Sequence, residues 1–109
     1  MKNTVFLSAF AFLPTLAFGA CSNHICSSVL VERLYINSNG KVYIGSSGDE
    51  SQLDCQSVSG VYTSFDVSEP GGDSIYATLL AAQLSNKPVS IRIVNNSEGC
   101  KVLYLLMDK

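Results

Sequence analysis

The sequence predicts a small α+β domain, mainly β, with five short strands and a single helix between the third and the fourth. Three observations carry that expectation. Runs of β-branched and aliphatic residues recur between clusters of Asn, Gly and Ser, the pattern of short strands and tight connections. Apolar residues return at three- and four-residue spacing in one segment, between Asp73 and Ser85. Two more strand-like runs then follow that segment to the end of the chain.

VLVERLYI, Val29 to Ile36, is the first strand. Asn37-Ser38-Asn39-Gly40 turns the chain, because Asn39 and Gly40 tolerate the positive φ that a tight hairpin requires. KVYIG, Lys41 to Gly45, returns as the second strand, and GSSGDESQLD is a polar loop. GVYTSFDV then alternates: Val61, Thr63, Phe65 and Val67 fall on one side, Tyr62, Ser64 and Asp66 on the other, so one face of the third strand should be buried. Asp73 or Ser74 is expected to cap the helix, whose apolar stripe is Ile75, Tyr76, Leu79, Leu80, Ala82 and Leu84. Asn86 suits a left-handed residue and Pro88 cannot continue a helix, so SNKP ends it. Val89, Ile91 and Ile93 alternate with Ser90 and Arg92 in the fourth strand. The fifth, Cys100 to Leu106, is apolar on both sides and is expected to be covered on both, within a closed sheet or against a neighbouring subunit. This element order is that of an OB-like barrel, a partly open five-stranded barrel with its helix at one end. The alternative is an open antiparallel sheet with one packed helix.

The chain has 109 residues, one domain by length, and its beginning differs from the rest. Lys2 precedes an apolar run from Val5 to Phe18, and Ala17-Phe18-Gly19 places small residues where a signal peptidase reads. Residues 1–19 are therefore expected to be a signal peptide, with cleavage before Ala20 and a domain spanning residues 20–109. A lipoprotein signal ending at Cys21 is the rival reading, although Phe18 stands where an aliphatic residue is usual. The run is too short for a membrane span, which needs about 20 apolar residues. The predicted location is secreted or periplasmic. Without Lys2 the remainder holds six basic against nine acidic residues, a formal net charge of −3. No basic stripe is left for phosphates, which excludes nucleic acid as an expected partner.

All four cysteines, Cys21, Cys26, Cys55 and Cys100, follow the signal. An even number in an exported chain points to disulfides. We favour Cys21 with Cys26 and Cys55 with Cys100, which ties the middle of the chain to its final hairpin. Cys21 with Cys55 and Cys26 with Cys100 would instead pin the N-terminal segment to the body. His24, the single histidine, lies between two cysteines in CSNHIC, a zinc-like grouping that a disulfide loop explains as well. GSSGDES lacks the Lys-Ser/Thr ending of a phosphate loop and reads as a surface turn. Asp54, Asp66, Glu69 and Asp73 are carboxylates whose expected roles are in loops and caps rather than acid–base chemistry. Asn95-Asn96-Ser97 fits a glycosylation acceptor and equally a plain turn. No cofactor and no metal is expected. The candidate ligand-binding residues are Tyr62, Ser64 and Asp66, which project from one face of the third strand as a ring, a hydroxyl and a carboxylate suited to a sugar.

The layout, and IYATLLAAQLSNKPVSIRIVNNSEGC in particular, resembles the small secreted B subunits of bacterial toxins that assemble as pentameric rings. That resemblance implies an OB-fold, binding of cell-surface glycans, a homo-oligomer and a catalytic toxin subunit as partner. It also implies that Thr78, Ala81 and Ser85 face a central pore and that edge strands pair between subunits. The expected function is thus a secreted, non-enzymatic binding domain. From another class, the alternative is a periplasmic or envelope protein that docks on another protein through its last strand.

Overall fold

The computed structural model describes residues 19–109. The expected signal peptide lies outside them, apart from Gly19. In chain order the elements are β1 (Cys21–Ser22), β2 (Ile25–Val29), β3 (Val31–Ile36), β4 (Lys41–Ser46), a 3-10 turn (Glu50–Gln52), β5 (Thr63–Asp66), α1 (Gly72–Ser85), β6 (Val89–Ile93) and β7 (Val102–Leu106). They form two antiparallel sheets, one ordered β1-β2-β6-β7 and the other β3-β4-β5, with the helix packed mainly against β3 and also against β7. Among the described residues no helix is long and apolar enough to cross a membrane.

Several boundaries differ from those read in the sequence, for local reasons. The expected first strand is interrupted at Leu30, so Val29 ends β2 in one sheet and Val31 begins β3 in the other. The expected N-terminal loop is a hairpin, because Cys21 and Cys26 face each other in register and are bonded. Ser28 has φ 52°, and the β2–β6 register shifts across this stretch, the mark of a bulge. The third strand is shorter than its alternation suggested: Val61 and Tyr62 belong to a turn in which Tyr62 N–H bonds Val58 O.

The β3–β4 hairpin forms as expected. Asn37 Oδ1 accepts from the N–H groups of Asn39 and Lys41, and Gly40 has φ +82°. The register sets Leu34 against Ile44 and Tyr35 against Tyr43, then Val42 against Phe65 and Tyr43 against Ser64 on the next strand. Val42, Ile44 and Phe65 point inward to meet Leu79 and Ala82 of α1, and Val29, Val89, Ile91, Ile93 and Val102 complete the core.

The helix is capped not by Asp73 or Ser74 but by the backbone of Gly71, at φ 80°. Gly72 follows because any Cβ there would lie 2.5 Å from the carbonyl oxygens of Asp66 and Val67. At the other end Asn86 takes φ 56° as expected, and its N–H reaches the carbonyls of Ala82 and Gln83. Four of the six residues of the apolar stripe are used. Leu79 and Ala82 are buried and Ile75 and Tyr76 pack against the core, but Leu80 is exposed and Leu84 is 78 % exposed.

β7 also departs from expectation. It is an edge strand, and although Val102 and Leu105 face the core, Leu103, Tyr104 and Leu106 are exposed. Among the described residues its second face is therefore uncovered. Cys55 and Cys100 are bonded, so both disulfides follow the favoured pairing.

Candidate functional site

The outward face of β3-β4-β5 gathers the three candidate ligand-binding residues with further polar and aromatic side chains. Strand alternation sends Arg33 and Tyr35 of β3, Lys41 and Tyr43 of β4, and Ser64 and Asp66 of β5 to the side opposite the core. Tyr62 joins them from the turn before β5. Three tyrosine rings result: the Tyr35 and Tyr43 centroids are 5.1 Å apart, Tyr43 and Tyr62 6.1 Å, and Tyr35 and Tyr62 6.3 Å. Tilted and edge-on pairs of this kind contribute about 0.5–1.5 kcal/mol beyond the area they bury. The cluster therefore stiffens the sheet as well as forming a platform.

The expected trio is not a unit of three free groups. Tyr62 is half-buried and its phenol oxygen accepts a hydrogen bond from Arg33 Nη1 at 3.2 Å. Asp66 lies 3.6 Å from Lys41 Nζ in an ion pair. Ser64 is only 1 % exposed, and its hydroxyl donates to Gly99 O at 2.8 Å. Its backbone N–H bonds Cys100 O, and a parallel bridge joins it to Lys101. Ser64 thus fastens β5 to the start of β7, a role that strand alternation alone does not reveal.

Two open clefts flank the rings. One, of about 500 Å³, is lined by Glu32, Arg33, Gly45, Asp49, Glu50 and Tyr62. Gly45 opens this cleft: a Cβ there would sit 3.3 Å from the Tyr62 ring and 3.4 Å from Arg33 Cβ. The other, of about 450 Å³, is lined by Lys41, Tyr43, Gln56, Ser64, Glu98 and Gly99. Glu50 forms a wall of the first cleft and is only 4 % exposed. Its Oε2 accepts from Ser46 N–H at 2.8 Å and from Ser46 Oγ at 2.6 Å, yet burial pushes its carboxyl above the ordinary value. Neighbouring Asp49 is the reverse case. The hydroxyl and N–H of Ser51 hold its carboxyl below the ordinary range. Glu69 is likewise held down, first by the Lys101 ammonium and then by the backbone N–H of Asp66.

The remaining candidates stand apart from this face. His24 lies in the turn between β1 and β2, where its carbonyl accepts from Ile93 N–H. Its flanking cysteines are bonded to each other, so neither offers a thiolate to a metal. Among the described residues no three His, Cys, Asp or Glu side chains gather as a metal site. Asp54 N–H bonds Asn23 O, and Asp73 sits in the first turn of the helix.

Arg33, Tyr35 and Tyr43 were absent from the expected site, although a signal for the rings existed. Asn37 N–H on Lys41 O centres the hairpin on Asn39, so Tyr35 and Tyr43, four residues to either side, face each other. Comparison of the chain with protein-family models, curated proteins and solved structures found no match.

Proposed function

We propose that this protein is an exported, non-enzymatic carbohydrate-binding domain, with the outward face of β3-β4-β5 as its binding surface. The three-ring platform between two open clefts carries the reading. Pyranose rings present C–H faces that stack on aromatic rings and hydroxyls that pair with fixed polar groups. Arg33, Lys41 and Asp66 border the platform as donors and acceptor, each already oriented by a partner. Tyr62 and Asp66 remain in the proposed contact set, and Ser64 supports it from beneath.

The OB-like barrel is part of the same reading. Its support is a circuit of neighbours: β3-β4-β5 continues through the Ser64–Lys101 bridge to β7, then β6 and β2, and Leu30 alone separates β2 from β3. The proposed oligomer, similar to a toxin B-subunit ring, is supported by two edge strands with exposed apolar residues. These are Tyr35 and Ile36 on β3, and Leu103, Tyr104 and Leu106 on β7. The same β7 residues favour the second reading, docking on another protein of the cell envelope.

A glycan array probed with the folded, oxidised protein and with Tyr62→Ala tests the carbohydrate reading. Retention by the native chain and loss in the variant is expected. A native chain silent on every glycan refutes it. Mass in solution for the native chain and for Leu103→Asp with Leu106→Asp tests the β7 contact, since both side chains are about half exposed and the fold should persist.

A further inference from the structure

The two clefts differ in position but share a border, and this sets the size of what can lie on them. Along β4 the outward residues are Lys41 and Tyr43, which line one cleft, and Gly45, which lines the other. Along the neighbouring segment Ser64 lines the first of these and Tyr62 the second. From Lys41 to Gly45 a strand rises about 13 Å. That is longer than one sugar ring and within the span of a short oligosaccharide.

The charges lining the clefts are as informative as their spacing. Glu32, Asp49, Glu50 and Glu98 contribute four carboxyl groups, against the cations Arg33 and Lys41. Both cations are engaged, Arg33 with the Tyr62 phenol and Lys41 with Asp66. Lys41 is neutralised by Asp66, whereas Arg33 bonds a neutral phenol and keeps its charge; a carboxylate or sulfate on the ligand would still meet more lining carboxyl groups than cations, which selects against it. Carboxylates and backbone carbonyls are, by contrast, good acceptors for sugar hydroxyls.

We infer that the ligand is a neutral oligosaccharide lying across both clefts, with the Tyr43–Tyr62 pair as the ridge between its two subsites. The inference rests on the carbohydrate reading above and adds length and charge to it. Each cleft alone gives weak, local contact. Occupation of both by one chain multiplies the effects, as linkage of two weak sites does.

The experiment is an array of neutral, sialylated and sulfated glycans, from single sugars to hexasaccharides, followed by calorimetry on the best neutral series. Glu32→Ala serves as the variant of one cleft and Gln56→Ala as the variant of the other. Both side chains are exposed, and the hydrogen bonds at these residues are made by backbone atoms, so thermal stability should be unchanged. Affinity should rise by roughly tenfold or more from the monosaccharide to the tetrasaccharide. Each variant should weaken the tetrasaccharide by about three- to tenfold. A monosaccharide bound as tightly as the tetrasaccharide, an effect of one variant only, or a preference for acidic glycans overturns this inference while leaving carbohydrate binding intact. A folded protein that retains nothing on the array overturns the carbohydrate reading, and this inference with it.

Discussion

Replacing Cys55 and Cys100 together by alanine opens a loop with a sequence separation of 45, whereas replacing Cys21 and Cys26 opens one of only 5. In the chain-entropy account a cross-link stabilises by restricting the unfolded chain, with a term that grows as the logarithm of loop length. At 25 °C this gives about 4 kcal/mol for the long loop and about 2 kcal/mol for the short one. Cys21 and Cys26 are both buried, whereas Cys55 is half-buried beside the fully buried Cys100, so packing loss does not favour the larger effect for the long loop. The difference of about 2 kcal/mol therefore reports loop length. In a domain of this size it corresponds to roughly 8–16 °C in melting midpoint. Urea titration of both double variants and the native chain, without reductant, measures it, with the m-value as a check on the unfolded state. Equal losses, or a larger loss for the short loop, would refute the entropic reasoning.

Three further outcomes follow from single side chains. Burial raises the Glu50 carboxyl, so its favourable contribution is fully present below the ordinary carboxyl value of the unfolded chain and is lost as pH rises through the higher folded value. Glu50→Gln should consequently gain stability relative to the native chain between pH 4 and pH 7; paired urea titrations at those two values, showing no such change, would count against it. Thr63 is fully buried and its Oγ1 has no hydrogen-bond partner among the described residues, so Thr63→Val should stabilise by about 1 kcal/mol in thermal denaturation. Asn86 holds a left-handed conformation at the helix end, so Asn86→Ala should cost about 1 kcal/mol and Asn86→Gly little, as read by the shift in midpoint.

Legibility in the sequence followed the range of the interaction concerned. The β3–β4 hairpin and the helix stop are fixed by residues within a few positions of each other, Asn37 to Gly40 and Asn86 to Pro88, and both were readable. The helix start was misplaced because it depends on a contact across the fold, the approach of Gly72 to the Asp66 and Val67 carbonyls. Periodicity likewise identified Ser64 as outward but not the loop at Gly99 that covers it. The doubly apolar β7 was legible as an anomaly, and its exposed side chains show that the described residues do not provide the cover. For the candidate site, Tyr62 and Asp66 were read from the alternation of one segment. Their neighbours required the register of three strands and the path of a loop of more than a dozen residues before Tyr62.

The meeting of Ser64, Gly99 and Cys100 also determines where the chain can change length. Between Asn95 and Cys100 the backbone is laced to Gln56 through Ser97 O and Gly99 N–H, to Ser64, and to Cys55 through sulfur. One residue inserted there would pull several partners out of reach together. The tip at Ser38 and Asn39 is closed by its own hairpin through Asn37, so tags or grafted peptides belong at that tip.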